Sequence, residues 1–242
     1  MIAGFIITGN GSKSVMLRGI GPSLASVGLG DLLADPFLEL RGPGGSLIAQ
    51  NDNWKEGGAR VLVEGTPFQP ADDREAVIVE ALQPAAYTAI LTGKAQTTGL
   101  GLVEVYDRDQ STNAVLANIS TRGFVQGADN VMIGGFILGG SSLNSSVAIR
   151  GIGPSLSQFG LSNVLTDPTL ELHDSNGAKL VLNDNWLDDP ASAAQLVQHN
   201  LGLQNFNESG IFATLPPGAF TAILAGKNGG IGIGLVEVYN IP

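Results

Sequence analysis

The sequence predicts an all-β protein built from two tandem β-sandwich domains, Ig-like or jelly-roll-like, and three observations carry that expectation. The first is duplication. RGIGPSL at residues 18–24 returns at 150–156, and NDNW at 51–54 returns at 183–186, both 132 positions later. GLVEVY at 101–106 returns at 234–239, so the offset drifts only to 133. A period this long marks two copies of a whole domain, since solenoid units run to roughly 20–50 residues. The second is composition: 34 Gly and 12 Pro among 242 residues, with 43% hydrophobic and only 14% charged, describe short apolar segments closed by tight turns. The third is the length of those segments, which run for about five to eight residues between Gly, Asn, Asp and Pro, as strands do.

In the second copy, strands are expected near residues 115–120, 131–138, 146–152, 169–173, 178–182, 210–215, 220–225 and 235–239. Asp174, Ser175, Asn176 and Gly177 tolerate positive φ and predict a hairpin turn; Gly42, Pro43, Gly44 and Gly45 fill that slot in the first copy. Weak helix is expected only after each Trp, at 59–65 and 191–201. Side chains alternate across a strand, so Val15 and Leu17 share one face and Met16 and Arg18 the other. Arg18 and Arg150 are thereby placed to meet Glu104 and Glu237, or Glu39 and Glu171, as structural ion pairs; an anion site on the arginines is the functional alternative.

The domains are expected at 1–110 and 114–242, joined by the short polar linker 107–113. Residues 1–9 (MIAGFIITG) align with 132–140 (MIGGFILGG), so the first copy has no counterpart of the segment holding Val115, Leu116, Ala117, Asn118, Ile119 and Ser120. Either the chain is a piece of a longer repeat protein, or the first domain borrows this strand from a neighbour and those residues are a strand donor.

The charge is −10 overall, split evenly between 8 basic and 13 acidic residues in the first copy and 4 and 9 in the second. No basic patch exists, which argues against a nucleic-acid partner. The opening apolar stretch is too short to cross a membrane. Cysteine is absent and does not decide the compartment.

Catalytic patterns are weak. GNGSKS at 9–14 lacks the Gly-Lys pair and following helix of a phosphate loop and reads as a hairpin loop, as does GSSLNS at 140–145. GGIGIG at 229–234 leads into a strand, unlike a dinucleotide fingerprint. His173 and His199 occur only in the second copy, so a histidine site would exist at most once; both are read as surface residues. An enzyme is not expected, and no cofactor beyond calcium. The strongest site candidate is NDNW: Asn51, Asp52 and Asn53, with Asn183, Asp184 and Asn185, offer side-chain oxygens at a strand end. Two readings fit, a calcium site supplemented by the acids that follow, Asp72, Asp73 and Glu75 or Asp188, Asp189 and Glu208, or an Asx-turn with Trp54 and Trp186 capping the core.

Through LANISTRG, IRGIGPSL, DPTLELHDSNG, NDNW and GLVEVY, the chain resembles a tandem repeat found near the ends of large bacterial secreted or surface proteins. Its stretch from LELHDSNG to PPGAFTAILAGKNG is also similar, more weakly, to the bacterial pre-peptidase C-terminal domain, a β-sandwich attached to secreted enzymes. The resemblance implies an extracellular or cell-surface location, an export signal upstream, and a non-enzymatic structural or adhesive role. A fibre subunit that self-associates by strand exchange, or binds other surface proteins, fits that role. The alternative is a calcium-dependent carbohydrate- or matrix-binding accessory module.

Overall fold

The computed structural model describes residues 1–109, 111–127, 130–139 and 143–241. Part of the linker (110) and part of the expected loop 140–145 (140–142) lie outside the described residues. The chain is mostly antiparallel β-structure and divides into two compact units, Met1–Leu116 and Ala117–Pro242.

Unit 1 contains β1 (Ile2–Thr8), β2 (Lys13–Ile20), β3 (Pro36–Arg41), β4 (Leu47–Asn51), the one-turn helix α1 (Arg60–Val63), β5 (Ala76–Leu82), β6 (Ala85–Gly93) and β7 (Leu102–Asp107). They form two sheets in the orders β1-β6-β3-β4 and β5-β2-β7. Unit 2 repeats the plan with β9 (Met132–Leu138), β10 (Ser145–Ile152), β11 (Pro168–His173), β12 (Lys179–Asn183), α2 (Pro190–Gln198), β13 (Ser209–Leu215), β14 (Gly218–Gly226) and β15 (Gly232–Ile241). One sheet runs β12-β11-β14-β9; the other runs β13-β10-β15 and gains a fourth strand, β8 (Val115–Val125), beside β15. All eight strands expected in the second copy are present, several extended by a residue or more.

The two sheets of each unit face each other across a core of alternate side chains. In unit 2 that core joins Val147, Ile149, Leu170, Leu172, Phe220, Ala222, Leu224, Val236 and Val238; at about 25 cal/mol per Å² of apolar surface removed from water, such clusters are the main stabilising term. Stacked rings close one end, Phe5 on Tyr87 in unit 1 and Phe136 on Phe220 in unit 2. The 174–177 turn forms as expected: Gly177 N–H donates to the Asp174 carbonyl and Gly177 sits at φ +78°.

The sheet containing β2 or β10 is covered on its second face too. Val15, Met16 and Leu17 are all fully buried, whereas simple alternation would leave Met16 half-exposed. Met16, Trp54, Val63 and Val77 form this second core in unit 1, and Ala148, Ile152, Leu156, Leu196 and Leu203 form it in unit 2, with Trp186 packed alongside. The helix after each Trp supplies the cover. α2 begins with Asp189 as its N-cap, whose carboxylate accepts from Ala191 and Ser192 N–H, and with Pro190 in the first turn, the residues that favour a helix start.

Candidate functional site

The duplicated motifs converge on one buried carboxylate in each unit. Glu75 stands just before β5 and Glu208 just before β13, and both are essentially inaccessible to solvent. Glu75 Oε1 accepts from Gly21 N–H at 3.1 Å and Ser23 N–H at 2.8 Å, and Oε2 accepts from the Ser23 hydroxyl at 2.6 Å. Glu208 repeats this with Gly153 N–H at 3.3 Å, Ser155 N–H at 2.9 Å and the Ser155 hydroxyl at 2.9 Å. The donors belong to GIGPSL, which turns into a short 3-10 helix, Pro22–Val27 or Pro154–Phe159, whose first N–H groups lack backbone acceptors. The second glycine of the motif is required by close approach: a Cβ on Gly21 would stand 2.1 Å from the Leu33 carbonyl oxygen, and one on Gly153 2.0 Å from that of Leu165.

The backbone of the same glutamates holds NDNW. Trp54 N–H donates to the Glu75 carbonyl at 2.7 Å, and Trp186 N–H to that of Glu208 at 2.8 Å. Asn51 closes the turn: its amide NH2 donates to the Asn53 carbonyl at 3.0 Å and its Oδ1 accepts from Val77 N–H at 2.9 Å. Asn183 does the same with the Asn185 carbonyl and Gly210 N–H. Trp54 lies at 1% exposure in the second core. Glu75 and Glu208 thus serve as junctions between chain segments. Sequence reasoning missed this role because the donors lie more than 50 residues away. The available signal was an acid repeated at the 133-residue offset directly before an apolar strand.

The NDNW aspartates each pair with a lysine, although Asp184 Oδ1 is buried without a hydrogen-bond partner. Asp52 pairs with Lys94, and Asp184 Oδ2 with Lys227 Nζ at 2.5 Å, while Asp167 Oδ2 stands 3.8 Å from the same ammonium. The side-chain bond to Asp52 raises the Lys94 pKa above its ordinary value, and that to Asp184 does the same for Lys227. Asn53 and Asn185 donate to Asp52 and Asp188. In unit 2 the Lys227 ammonium thus lies between Asp167 and Asp184, and no group of three or more His, Cys, Asp or Glu with metal-binding geometry exists among the described residues.

The arginines meet Glu104 and Glu237. Arg18 Nε lies 3.2 Å from Glu104 Oε2, an ion pair without hydrogen-bond alignment. Arg150 bonds Glu237 Oε2 through Nε at 2.8 Å and the terminal nitrogen at 2.6 Å, and its other nitrogen donates to the Leu201 carbonyl. Tyr106 donates to Glu104 at 2.9 Å; Arg150 sits over the Tyr239 ring. Burial, followed by the neighbouring glutamate charge, pushes both phenols up to about 12. The alternative partners are taken otherwise: Glu39 pairs with Arg41 at 2.7 Å, and Glu171 with His173 at 2.7 Å and Lys179 at 3.0 Å. His173 therefore replaces Arg41 in an equivalent pair, its Nδ1 facing the Gly177 carbonyl at 3.0 Å. His199 is half-buried, stacked on Phe212. Of the six candidate strand-donor residues, all lie in β8, and Asn118, Ile119 and Ser120 pair with Tyr239, Val238 and Glu237 of β15.

No protein-family model and no curated protein sequence matches the chain. Among solved structures, it is similar to a protein of Eubacterium rectale inferred to be secreted (10% identity, 98% of this chain and 68% of that one, TM-score 0.24). It is also similar to VP54 of PBCV-1 fitted into a reconstruction of the virophage Sputnik (9%, 99% and 92%, TM-score 0.22), and to VP2 of the infectious bursal disease virus subviral particle (10%, 98% and 58%, TM-score 0.22). Superpositions this loose carry no functional argument.

Proposed function

We propose that the chain is a non-enzymatic structural or adhesive module of an extracellular or cell-surface protein, two copies of one β-sandwich repeat in series. The observation that carries this reading is the use made of the duplicated residues. Gly21, Ser23, Asn51, Trp54 and Glu75, with Gly153, Ser155, Asn183, Trp186 and Glu208, all hold one chain segment to another. An enzyme's repeated residues would be expected to converge on an accessible nucleophile, acid or base. Likeness to the repeat of large bacterial surface proteins, carried by LANISTRG, IRGIGPSL and GLVEVY, supports the same assignment. Antibodies raised against the purified chain test it: they should label intact, unpermeabilised cells that express the gene, and external protease should remove the label. Labelling that appears only after permeabilisation would overturn the extracellular reading.

A further inference from the structure

The duplication supplies an internal control for one surface of unit 2. Before each junction glutamate the chain makes the same turn: Asp72 Oδ1 accepts from Arg74 N–H at 3.0 Å, and Asn205 Oδ1 from Asn207 N–H at 3.0 Å. Glu75 N–H donates to the Asp72 carbonyl, and Glu208 N–H to that of Asn205. The backbone is shared; the side chains are not. In unit 1 the turn is charged, Asp72 pairing with Arg74 and Asp73 with Lys55 at 2.7 Å. In unit 2 Asn205 and Asn207 stand in place of Asp72 and Arg74, Phe206 in place of Asp73, and Leu187 in place of Lys55. Two apolar side chains, 57% and 46% exposed for Phe206 and Leu187, thus replace an ion pair without filling a core.

The loss of charge extends along the segment. No Asp, Glu, Lys or Arg occurs from Pro190 to Asn207, whereas residues 58–74 of unit 1 include Arg60, Glu64, Asp72, Asp73 and Arg74. The neighbouring 3-10 helix adds a second ring: Phe159 is 76% exposed and stands where unit 1 has Val27, and Gln158 stands where it has Ser26. Gln158 Nε2 donates to Gln204 Oε1 at 3.2 Å, and Leu156 and Leu203 belong to one cluster beneath, so the two segments lie side by side. This bridged amide pair, with Phe159 on one segment and Phe206 on the other, leaves Gln158 Oε1 and the Gln204 amide NH2 open to a ligand.

We propose that this surface of unit 2, built on Gln158, Phe159, Gln204 and Phe206, binds neutral carbohydrate chains. Amides that both donate and accept match vicinal hydroxyls, and exposed ring faces match the C–H faces of a sugar. A surface stripped of charge on a chain of net charge −10 offers nothing to an ionic ligand. The charged rim of a protein partner would likewise find no counter-charge here. The inference deepens the adhesive reading and rests on it; surface labelling reports where the chain is and the binding assay what it holds, so either can fail while the other stands.

The test runs the full chain in native gels containing one neutral polysaccharide at a time (xyloglucan, arabinoxylan, galactomannan, a β-glucan or dextran), with alginate as the anionic control. Retardation by at least one neutral polymer, and none by alginate, is expected. Phe159→Val, Gln158→Ser and Phe206→Asp install residues that unit 1 already carries on the same backbone, so their urea midpoints should stay close to that of the wild type. Phe159→Val and Phe206→Asp should each weaken retention about tenfold or more; should one of them not fold, the other still decides. Val27→Ser, at the matching position of unit 1, should change nothing. Unaltered mobility in every neutral polymer, retention that survives both ring substitutions, or equal retention by alginate would each overturn the proposal. So would concentration-dependent oligomers lost in Phe206→Asp, which would make a second copy the occupant.

Discussion

Glu75 gathers two backbone N–H groups and a hydroxyl, and Glu208 three backbone N–H groups and a hydroxyl, inside a region closed to water. Truncating one strands donors whose desolvation is no longer offset, at about 1–3 kcal/mol per orphaned group. Glu208→Ala is expected to lower unfolding free energy by about 3–5 kcal/mol, seen as a fall in the urea midpoint at unchanged slope; Glu208→Gln, which keeps one carbonyl acceptor, should lose less. Equal losses would show that packing, not hydrogen bonding, dominates. Asp52 and Asp184 have lysine counter-ions, so adding calcium to chelator-treated protein is expected to leave the melting temperature unchanged; a dose-dependent rise, removed by Asp184→Ala, would favour the calcium reading. His173 gives a pH dependence. The Gly177 carbonyl first and Glu171 second raise its pKa above the ordinary value of 6.5. A raised folded-state pKa means that its contribution is complete below about 6.5 and is lost as pH climbs through the folded value. His173→Arg, which copies Arg41, should flatten the urea midpoint over that interval, while the wild type declines.

At the scale of elements, α2 offers the simplest test of the cover over the outer face of the β13-β10-β15 sheet. Asp189→Ala removes the N-cap that accepts from Ala191 and Ser192 and should cost about 1 kcal/mol, with Asp189→Asn restoring most of it, both measured by urea unfolding. The strands themselves were legible because period-two runs such as Thr169–Glu171–His173 against Leu170–Leu172 end at turn residues that admit positive φ. The pairing of Arg150 with Glu237 was legible only as one of two choices beside Glu171, since alternation fixes the face of a side chain but not which strand lies next to it. The second core was not: Met16 reads as the polar-side partner of Arg18, and only the folded-over segment containing Trp54 and Val63 shows what buries it. The glutamate junctions were hidden by distance along the chain. Glu75 looked like one member of an acidic run with Asp72 and Asp73, yet Asp72 bonds Arg74 at the surface while Glu75 turns inward. The lysine partners of NDNW were equally hidden, because Lys94 and Lys227 stand about 43 residues beyond their aspartates and come close only when β6 and β14 end beside the start of β3 and β11, where β4 and β12 also end.

For the whole molecule, the different surroundings of the two LVEVY strands predict unequal stability. Both units contain the junction glutamate, the buried Trp segment and two facing sheets, but in unit 1 Val103 and Val105 stay half-exposed and Leu102 is 40% exposed where unit 2 has β8 beside β15. Burying two valines and a leucine stabilises a fold by roughly 1.5–3 kcal/mol per fully covered side chain, so partial exposure of three leaves unit 1 weaker by about 2–4 kcal/mol on this count alone. Calorimetry is therefore expected to show two transitions, unit 1 melting first, because domains with their own cores unfold as separate cooperative units unless a large interface couples them. Glu75→Ala should then move only the lower transition and Glu208→Ala only the upper one. A single transition shifted equally by both substitutions would mean that the repeats unfold as one cooperative block. Under heat or denaturant the chain would then open first at unit 1, where Val103 and Val105 are half-exposed.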